Sequence, residues 1–290
     1  MQAHYQDNSA MIQPGMMQMQ PLMMQPGMTM QPGMMMDPNS NLVMYQTKWG
    51  WEKLAEKNGI FIKQKFDFLE VLSGCERENK YHIYPLQTDG DKKGRHIFKA
   101  REKSSWCARN CMRADCRPFN MLIFNQDPLS EEIDESMFMK LGKPYSLTCC
   151  CWNRPAMTVT NVEKGANEYL GQVRSPWLCC ELGVDVYNNN DSKIHEIRAS
   201  CLQTGVICNI CPCDSCQHVH FEVKGTSGET VSTLEKRTRG CIATWLGSDA
   251  DEFSLTFPPN ATKEEKALLM AAVLLLDFSY FENNSRSNQL

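Results

Sequence analysis

Ten consecutive residues, Ala267-Leu268-Leu269-Met270-Ala271-Ala272-Val273-Leu274-Leu275-Leu276, are apolar on every face of the helix they would form. Such a helix must be enclosed by protein or by lipid. Thr262 and Glu265 stand just before it at capping-box spacing, which satisfies two otherwise orphan backbone donors and predicts a helix start. From Ala267 to Phe281 the helix would be on the order of 22 Å long, against roughly 30 Å of bilayer hydrocarbon. It also carries an ionisable Asp277 near its end. Apolar runs of this length sit more often in protein cores than across bilayers, so a protein shell is the first reading and a short membrane span the second. Lys263 and Lys266 precede the segment and Arg286 follows it, a weak positive-inside bias.

The rest of the chain supplies material for such a shell. Short alternating runs rich in aromatic and β-branched residues predict strands at 60–66, 80–84, 95–100, 120–124, 156–162, 169–173, 182–187, 193–199, 218–223 and 230–236, with a further one over 253–257. Turn signals separate them, among them Asp89-Gly90-Asp91, Asn188-Asn189-Asn190-Asp191 and Gly225-Thr226-Ser227-Gly228. A short helix is expected near 51–58. Many short strands with turn punctuation indicate an antiparallel barrel or sandwich, not βα units.

The first 40 or so residues are of another kind. Gln-Pro-Gly-Met recurs at Gln13, Gln25 and Gln31, and Pro and Gly interrupt every run, so a disordered tail over 1–45 is expected, serving as a spacer or as a ligand for protein partners. A scaffold domain over 46–282, including the helix at 263–281, and a polar tail at 283–290 complete the division. The amino terminus has no basic stretch leading into an apolar one, which points to the cytosol. The net charge of −4 makes nucleic acid an unlikely main partner.

Fifteen cysteines are many for a reducing compartment, where disulfides are not available. Metal ligation, lipid attachment and burial are the explanations to weigh. Cys208, Cys211, Cys213 and Cys216, with His218 and His220 nearby, raise a zinc site, although so compressed a string wraps poorly around one ion. The run Cys149-Cys150-Cys151, beside Trp152 and Arg154, cannot present three ligands to one metal because neighbouring side chains diverge. Thioacylation has no such constraint, and two or more acyl chains give stable anchoring; plain burial is the alternative.

Immediately before the apolar helix, Asp249-Ala250-Asp251-Glu252 places three carboxylates within four residues, a plausible start for a hard-cation site. It is no EF-hand, since Phe253, Leu255 and Phe257 occupy ligand positions, no glycine stands sixth, and Asn260 stands twelfth. The alternation of Phe253, Leu255 and Phe257 reads instead as a strand entered through an acidic turn.

Taken in order, several motifs resemble the phospholipid scramblase family. They are Phe68-Leu69-Glu70-Val71-Leu72-Ser73-Gly74-Cys75-Glu76 with Asn79-Lys80-Tyr81, Cys107-Ala108-Arg109-Asn110-Cys111 with Arg117-Pro118-Phe119, and the Cys149 run. His220-Phe221-Glu222-Val223-Lys224, Asp249-Ala250-Asp251-Glu252-Phe253 and Leu276-Asp277-Phe278 follow. The resemblance covers about 50–282. It implies a mainly β, tubby-like fold, a twelve-stranded antiparallel barrel around the hydrophobic C-terminal helix. It implies calcium-dependent, ATP-independent, bidirectional movement of phospholipids with phosphatidylserine exposure, at the cytoplasmic face of the plasma membrane, and no enzymatic reaction. Its calcium segment would be Asp249, Asp251, Phe253, Leu255, Phe257 and Asn260, the apolar members contributing only backbone carbonyls, and Asn260 replacing an acid. Its palmitoylation segment would be Cys149, Cys150 and Cys151, followed here by Trp152-Asn153-Arg154 where the family has proline and more cysteines. A nuclear-import stretch of some relatives would fall near 233–242, which is only modestly basic here. A tethered module that binds anionic lipids or proteins without moving lipid is the alternative from another functional class.

Overall fold

A computed structural model describes residues 34–36, 42–44, 50–65, 78–86, 95–113, 116–126, 136–146, 153–208, 213–238 and 251–281. Cys149, Cys150, Cys151, Cys211, Asp249, most of the 1–45 segment and the 283–290 tail lie outside them. The chain divides into two units, 1–46 and 47–290. In the first, β1 (Met34–Met36) pairs antiparallel with β2 (Leu42–Met44).

The second unit is a closed barrel of twelve strands. In chain order these are β3 (Gly59–Lys65), β4 (Lys80–Pro85), β5 (Phe98–Lys103), β6 (Phe119–Asn125), β7 (Ser136–Lys143) and β8 (Ala156–Asn161). They continue with β9 (Glu168–Arg174), β10 (Glu181–Asn188), β11 (Lys193–Ser200), β12 (His218–Lys224), β13 (Thr230–Arg237) and β14 (Glu252–Thr256). Each pairs antiparallel with its sequence neighbour, and β14 closes on β3, Phe253 opposite Ile62 and Leu255 opposite Ile60. Closure removes both sheet edges, which would otherwise offer unpaired backbone groups.

Four short helices are not part of the barrel wall, α1 (Gly50–Ala55), α2 (Trp106–Cys111), α3 (Thr204–Ile207) and α4 (Asp214–Gln217), and α1 buries Trp51 and Leu54 in the core beside the central helix. Helix α5 (Lys263–Leu276) occupies the barrel interior and runs into a π-helical turn, Asp277–Phe281. Every residue from Ala267 to Leu276 is at most 1% exposed and packs in one cluster with inward side chains of all twelve strands. The predicted cap is present. Thr262 Oγ1 accepts from the Glu265 N–H at 3.2 Å, and Glu265 Oε2 accepts from the Thr262 N–H at 3.0 Å.

Alternation decides what faces this helix. In β4, Tyr81 and Ile83 turn inward while Lys80, His82 and Tyr84 turn out. In β3 and β5 the outward set is Lys63, Lys65, Lys99, Arg101 and Lys103. Apolar inside and charged outside is the reverse of a lipid-facing barrel, whose apolar band points outward. Among the described residues no helix is long and apolar enough to cross a membrane.

One strand, β7, was not predicted by its sequence. Its run Ser-Met-Phe-Met-Lys-Leu-Gly-Lys has no β-branched residue. Pairing with β6 and β8 on both sides makes it a strand.

Candidate functional site

Strict up-and-down order sends alternate connections to opposite ends of the barrel. The end reached by the carboxyl terminus of α5 also receives the entry of β14, and there the inward face is charged. Glu102, Lys143 and Lys236 hold inward positions in β5, β7 and β13, where the alternation calls for apolar residues, and Arg117 just precedes β6. A charge on the inward phase of an alternating strand is the sequence signal for this layer.

Each of these groups has a hydrogen-bond partner. Arg117 Nη2 donates to Glu102 Oε2 at 3.0 Å, and both side chains are 0% exposed. Glu102 also accepts from the Asn79 N–H, from Asn79 Nδ2 and from Ser104 Oγ at 3.2, 3.0 and 2.6 Å. Lys143 Nζ donates to the Arg117 carbonyl at 2.9 Å. Such a set stabilises only while all partners are present, since a buried charge left alone is costly.

Beside it lies the site singled out by the acidic strand entry. Asp251 Oδ1 accepts from Lys236 Nζ at 2.7 Å, and that ammonium stands 4.3 Å from the centre of the Phe281 ring. Tyr81 Oη donates to Asp277 Oδ2 at 2.7 Å. Burial, with the Asp251 carboxylate nearby, pushes the Asp277 carboxyl up to about 7, although the Tyr81 hydrogen bond and Lys236 pull it down. Glu252, almost fully buried, pairs with Lys63 at 3.2 Å.

The five described residues of the expected calcium segment are therefore spread from the entry of one strand to its exit, Asp249 lying outside the described residues. Asp251 stands at the end where α5 terminates. Phe253, Leu255 and Phe257 point into the core at 1%, 0% and 4% exposure. The backbone of β14 is laddered to β13 on one edge and β3 on the other. Asn260 sits in the turn before α5 with a φ of 63°, a left-handed conformation that asparagine tolerates well. With the 14 residues of α5 rising about 1.5 Å each, roughly 21 Å of helix separates the two ends, so one ion does not touch both Asp251 and Asn260 of the same chain. A cleft of about 500 Å³ beside Asn260 is lined by Ala55, Lys57, Pro258 and Lys266, and Lys266 Nζ donates into the Ala55 and Lys57 carbonyls. An ammonium there does not favour a cation.

Among the described residues no three His, Cys, Asp or Glu side chains come together as metal ligands. Of the proposed zinc string, Cys208 and Cys213 are exposed and Cys216 is buried. His218 is paired with Glu235 and stands 3.4 Å from Asp214.

A model of the family described as Scramblase matches residues 37–283. Phospholipid scramblase 1 of Mus musculus is 27% identical over 241 residues, covering 83% of this chain and 66% of that protein. Phospholipid scramblase 2 of Bos taurus is 29% identical over 234 residues, 80% of this chain and 71% of its own length. Phospholipid scramblase 4 of Homo sapiens is 27% identical over 237 residues, 81% and 64% of the two lengths. The chain thus matches about two thirds of the length of these relatives. No solved structure matches it.

Proposed function

The chain belongs to the scramblase family, and from that premise we propose that it moves phospholipids between the leaflets of a bilayer in both directions without ATP. Phosphatidylserine exposure is the outcome expected at a plasma membrane, with the barrel on the cytoplasmic side. The observation that carries this reading is the match over 37–283, which takes in the whole barrel and α5. Lipid flip-flop needs only a path that lowers the cost of drawing a polar head group through hydrocarbon, so we propose transport and no covalent chemistry.

Calcium dependence is part of the proposal, and its support is the resemblance at the acidic strand entry. Of the six expected ligands, Asp249 and Asp251 are those we assign to it. The side chains of Phe253, Leu255 and Phe257 point into the core and Asn260 lies at the other end of α5, so they do not fit the same ion. Cys149, Cys150 and Cys151 are proposed as acylated anchors, and protein partners as ligands of the Met/Gln/Pro/Gly tail.

One observation favours a second reading. With α5 held inside the barrel, no membrane-spanning helix among the described residues is offered to lipid, so a tethered module that binds anionic lipid or protein partners without moving lipid is also consistent with the fold. Reconstitution into vesicles carrying fluorescent phosphatidylserine separates the two. Calcium-stimulated exchange between leaflets, lost in Asp249→Ala, is expected; membrane binding with no exchange at any calcium concentration sinks the transport reading.

A further inference from the structure

The two ends of the barrel differ in chemistry. At the end that carries the carboxyl terminus of α5 the strands are joined by the connections β3–β4, β5–β6, β7–β8, β9–β10, β11–β12 and β13–β14. All nine described cysteines belong to these connections. By sequence position the other six cysteines also fall between strands joined at this end. The opposite connections, at 86–97, 126–135, 162–167, 189–192 and 225–229, contain no cysteine.

Exposed apolar side chains divide the same way. Of the seven large hydrophobic residues exposed among the described ones, six lie on the cysteine-bearing end, including Trp106 and Trp177 at 58%, Leu202 at 74% and Ile207 at 68%. Only Tyr169, on the outer face of β9, lies elsewhere. The connections form one continuous surface: the Ser146 N–H donates to the Cys116 carbonyl, the Cys201 N–H to the Cys180 carbonyl, and the Thr238 N–H to the Gln217 carbonyl. Tryptophans standing out of a protein at one end match the water–hydrocarbon boundary, where an amphipathic ring is favoured. In the described parts of these connections Arg109, Arg113 and Arg154 stand near the surface against Glu78, Asp214 and Asp251, so the exposed apolar side chains and not net charge mark this end.

We propose that this end of the barrel is the face that docks on a bilayer, and that Cys179 and Cys180, beside Trp177, are S-acylated there. The proposal rests on the membrane association proposed above but not on lipid movement. Both thiols are exposed, their sulfurs are 3.8 Å apart, and Pro176 and Trp177 precede them on the same connection. Acyl chains on this pair enter the lipid beside an exposed indole. The reaction is transfer from a long-chain acyl-coenzyme A. The cysteine sulfur forms a bond to the acyl carbonyl carbon, the bond from that carbon to the coenzyme sulfur breaks, and the proton leaving the cysteine ends on the coenzyme thiol. Two chains here, added to any on Cys149 to Cys151, convert reversible contact into stable anchoring.

Mass-tag acyl exchange on the full chain expressed in cells tests the modification, because it counts acyl groups per molecule. The C149S/C150S/C151S variant is expected to keep at least one tag, and adding C179S/C180S to lose one or more. A triple variant with no tags, or a fivefold variant with as many as the triple, overturns the assignment. Both cysteines are exposed, so the serines leave the fold in place, and circular dichroism checks this. Hydrogen exchange of the purified full chain on vesicles of phosphatidylcholine and phosphatidylserine tests the docking face. Slower exchange is expected at 104–113 and 176–180, with 189–192 and 225–229 unchanged; protection at the latter turns, or none anywhere, overturns it. Failure of leaflet exchange alongside the expected tags and protection overturns the transport reading alone.

Discussion

Tyr81 and Asp277, 196 residues apart in sequence, meet inside the barrel through a 2.7 Å hydrogen bond from the phenol to the carboxylate. The bond fastens the π-helical end of the central helix to β4. The second carboxylate oxygen, Oδ1, is buried and has no hydrogen-bond partner among the described residues. Loss of solvation there is what lifts the carboxyl to about 7.

A pH dependence follows. Asp277 is protonated more readily in the folded chain than in the unfolded one, so its contribution is complete below about pH 4 and is lost as pH rises through about 7. Asp277→Asn keeps an acceptor for Tyr81 and removes the charge. Urea unfolding midpoints are expected to fall between pH 5 and pH 8 in the parent and to change less in the variant; equal slopes would show that Asp277 is not the titrating group.

His82 works in the opposite sense. It lies on the outer face between Lys63 and Lys99, its ring stacked on His96 at 4.5 Å. Partial burial, then His96 and the surrounding lysines, push it down to about 4. Its stabilising effect is present above about pH 6.5 and fades as pH falls toward 4. His82→Gln is expected to flatten that acid limb in a thermal melt series, and an unchanged limb would assign it to other groups.

Glu102→Gln keeps the shape of the buried layer and removes the carboxylate with which the Arg117 guanidinium, 0% exposed, pairs at 3.0 Å. A loss on the order of 3 to 5 kcal/mol is expected in denaturant unfolding. A loss under about 1 kcal/mol would mean that water reaches this end of the barrel.

Thr262→Ala removes the side-chain half of the capping box at the start of α5. About 1 kcal/mol of stability should go with it. Glu265→Ala on the same background should then cost less than it does alone, because the two bonds form one unit; a double-mutant cycle reads this directly.

The reading of the chain as strands separated by turns was legible because alternation is local. At eleven of the twelve barrel strands the residues that pleat inward announce themselves within a few positions. Strand β7 did not, its Met-rich run lacking any β-branched residue. In the candidate site, Asp251 was visible as part of an acidic turn, whereas Lys236 is an ordinary basic residue until β13 pairs with its neighbours and turns it inward beside Asp251. The separation of Asp251 from Asn260 was equally invisible, since sequence proximity says nothing about which end of a barrel a strand begins on.

The amino-acid sequence by itself determined that residues 263–276 form a capped helix, that this helix must be enclosed, and that the chain before it consists largely of short antiparallel strands. Those outcomes depend on neighbours within a turn or a pleat. Only the tertiary structure decided that the barrel, not lipid, surrounds the helix, that Tyr81 reaches Asp277 and Arg117 reaches Glu102, and that the described cysteines gather at one end. Each of these depends on β14 closing against β3 across nearly the whole domain, a pairing that local patterns permit but only the joint burial of all twelve inward faces selects.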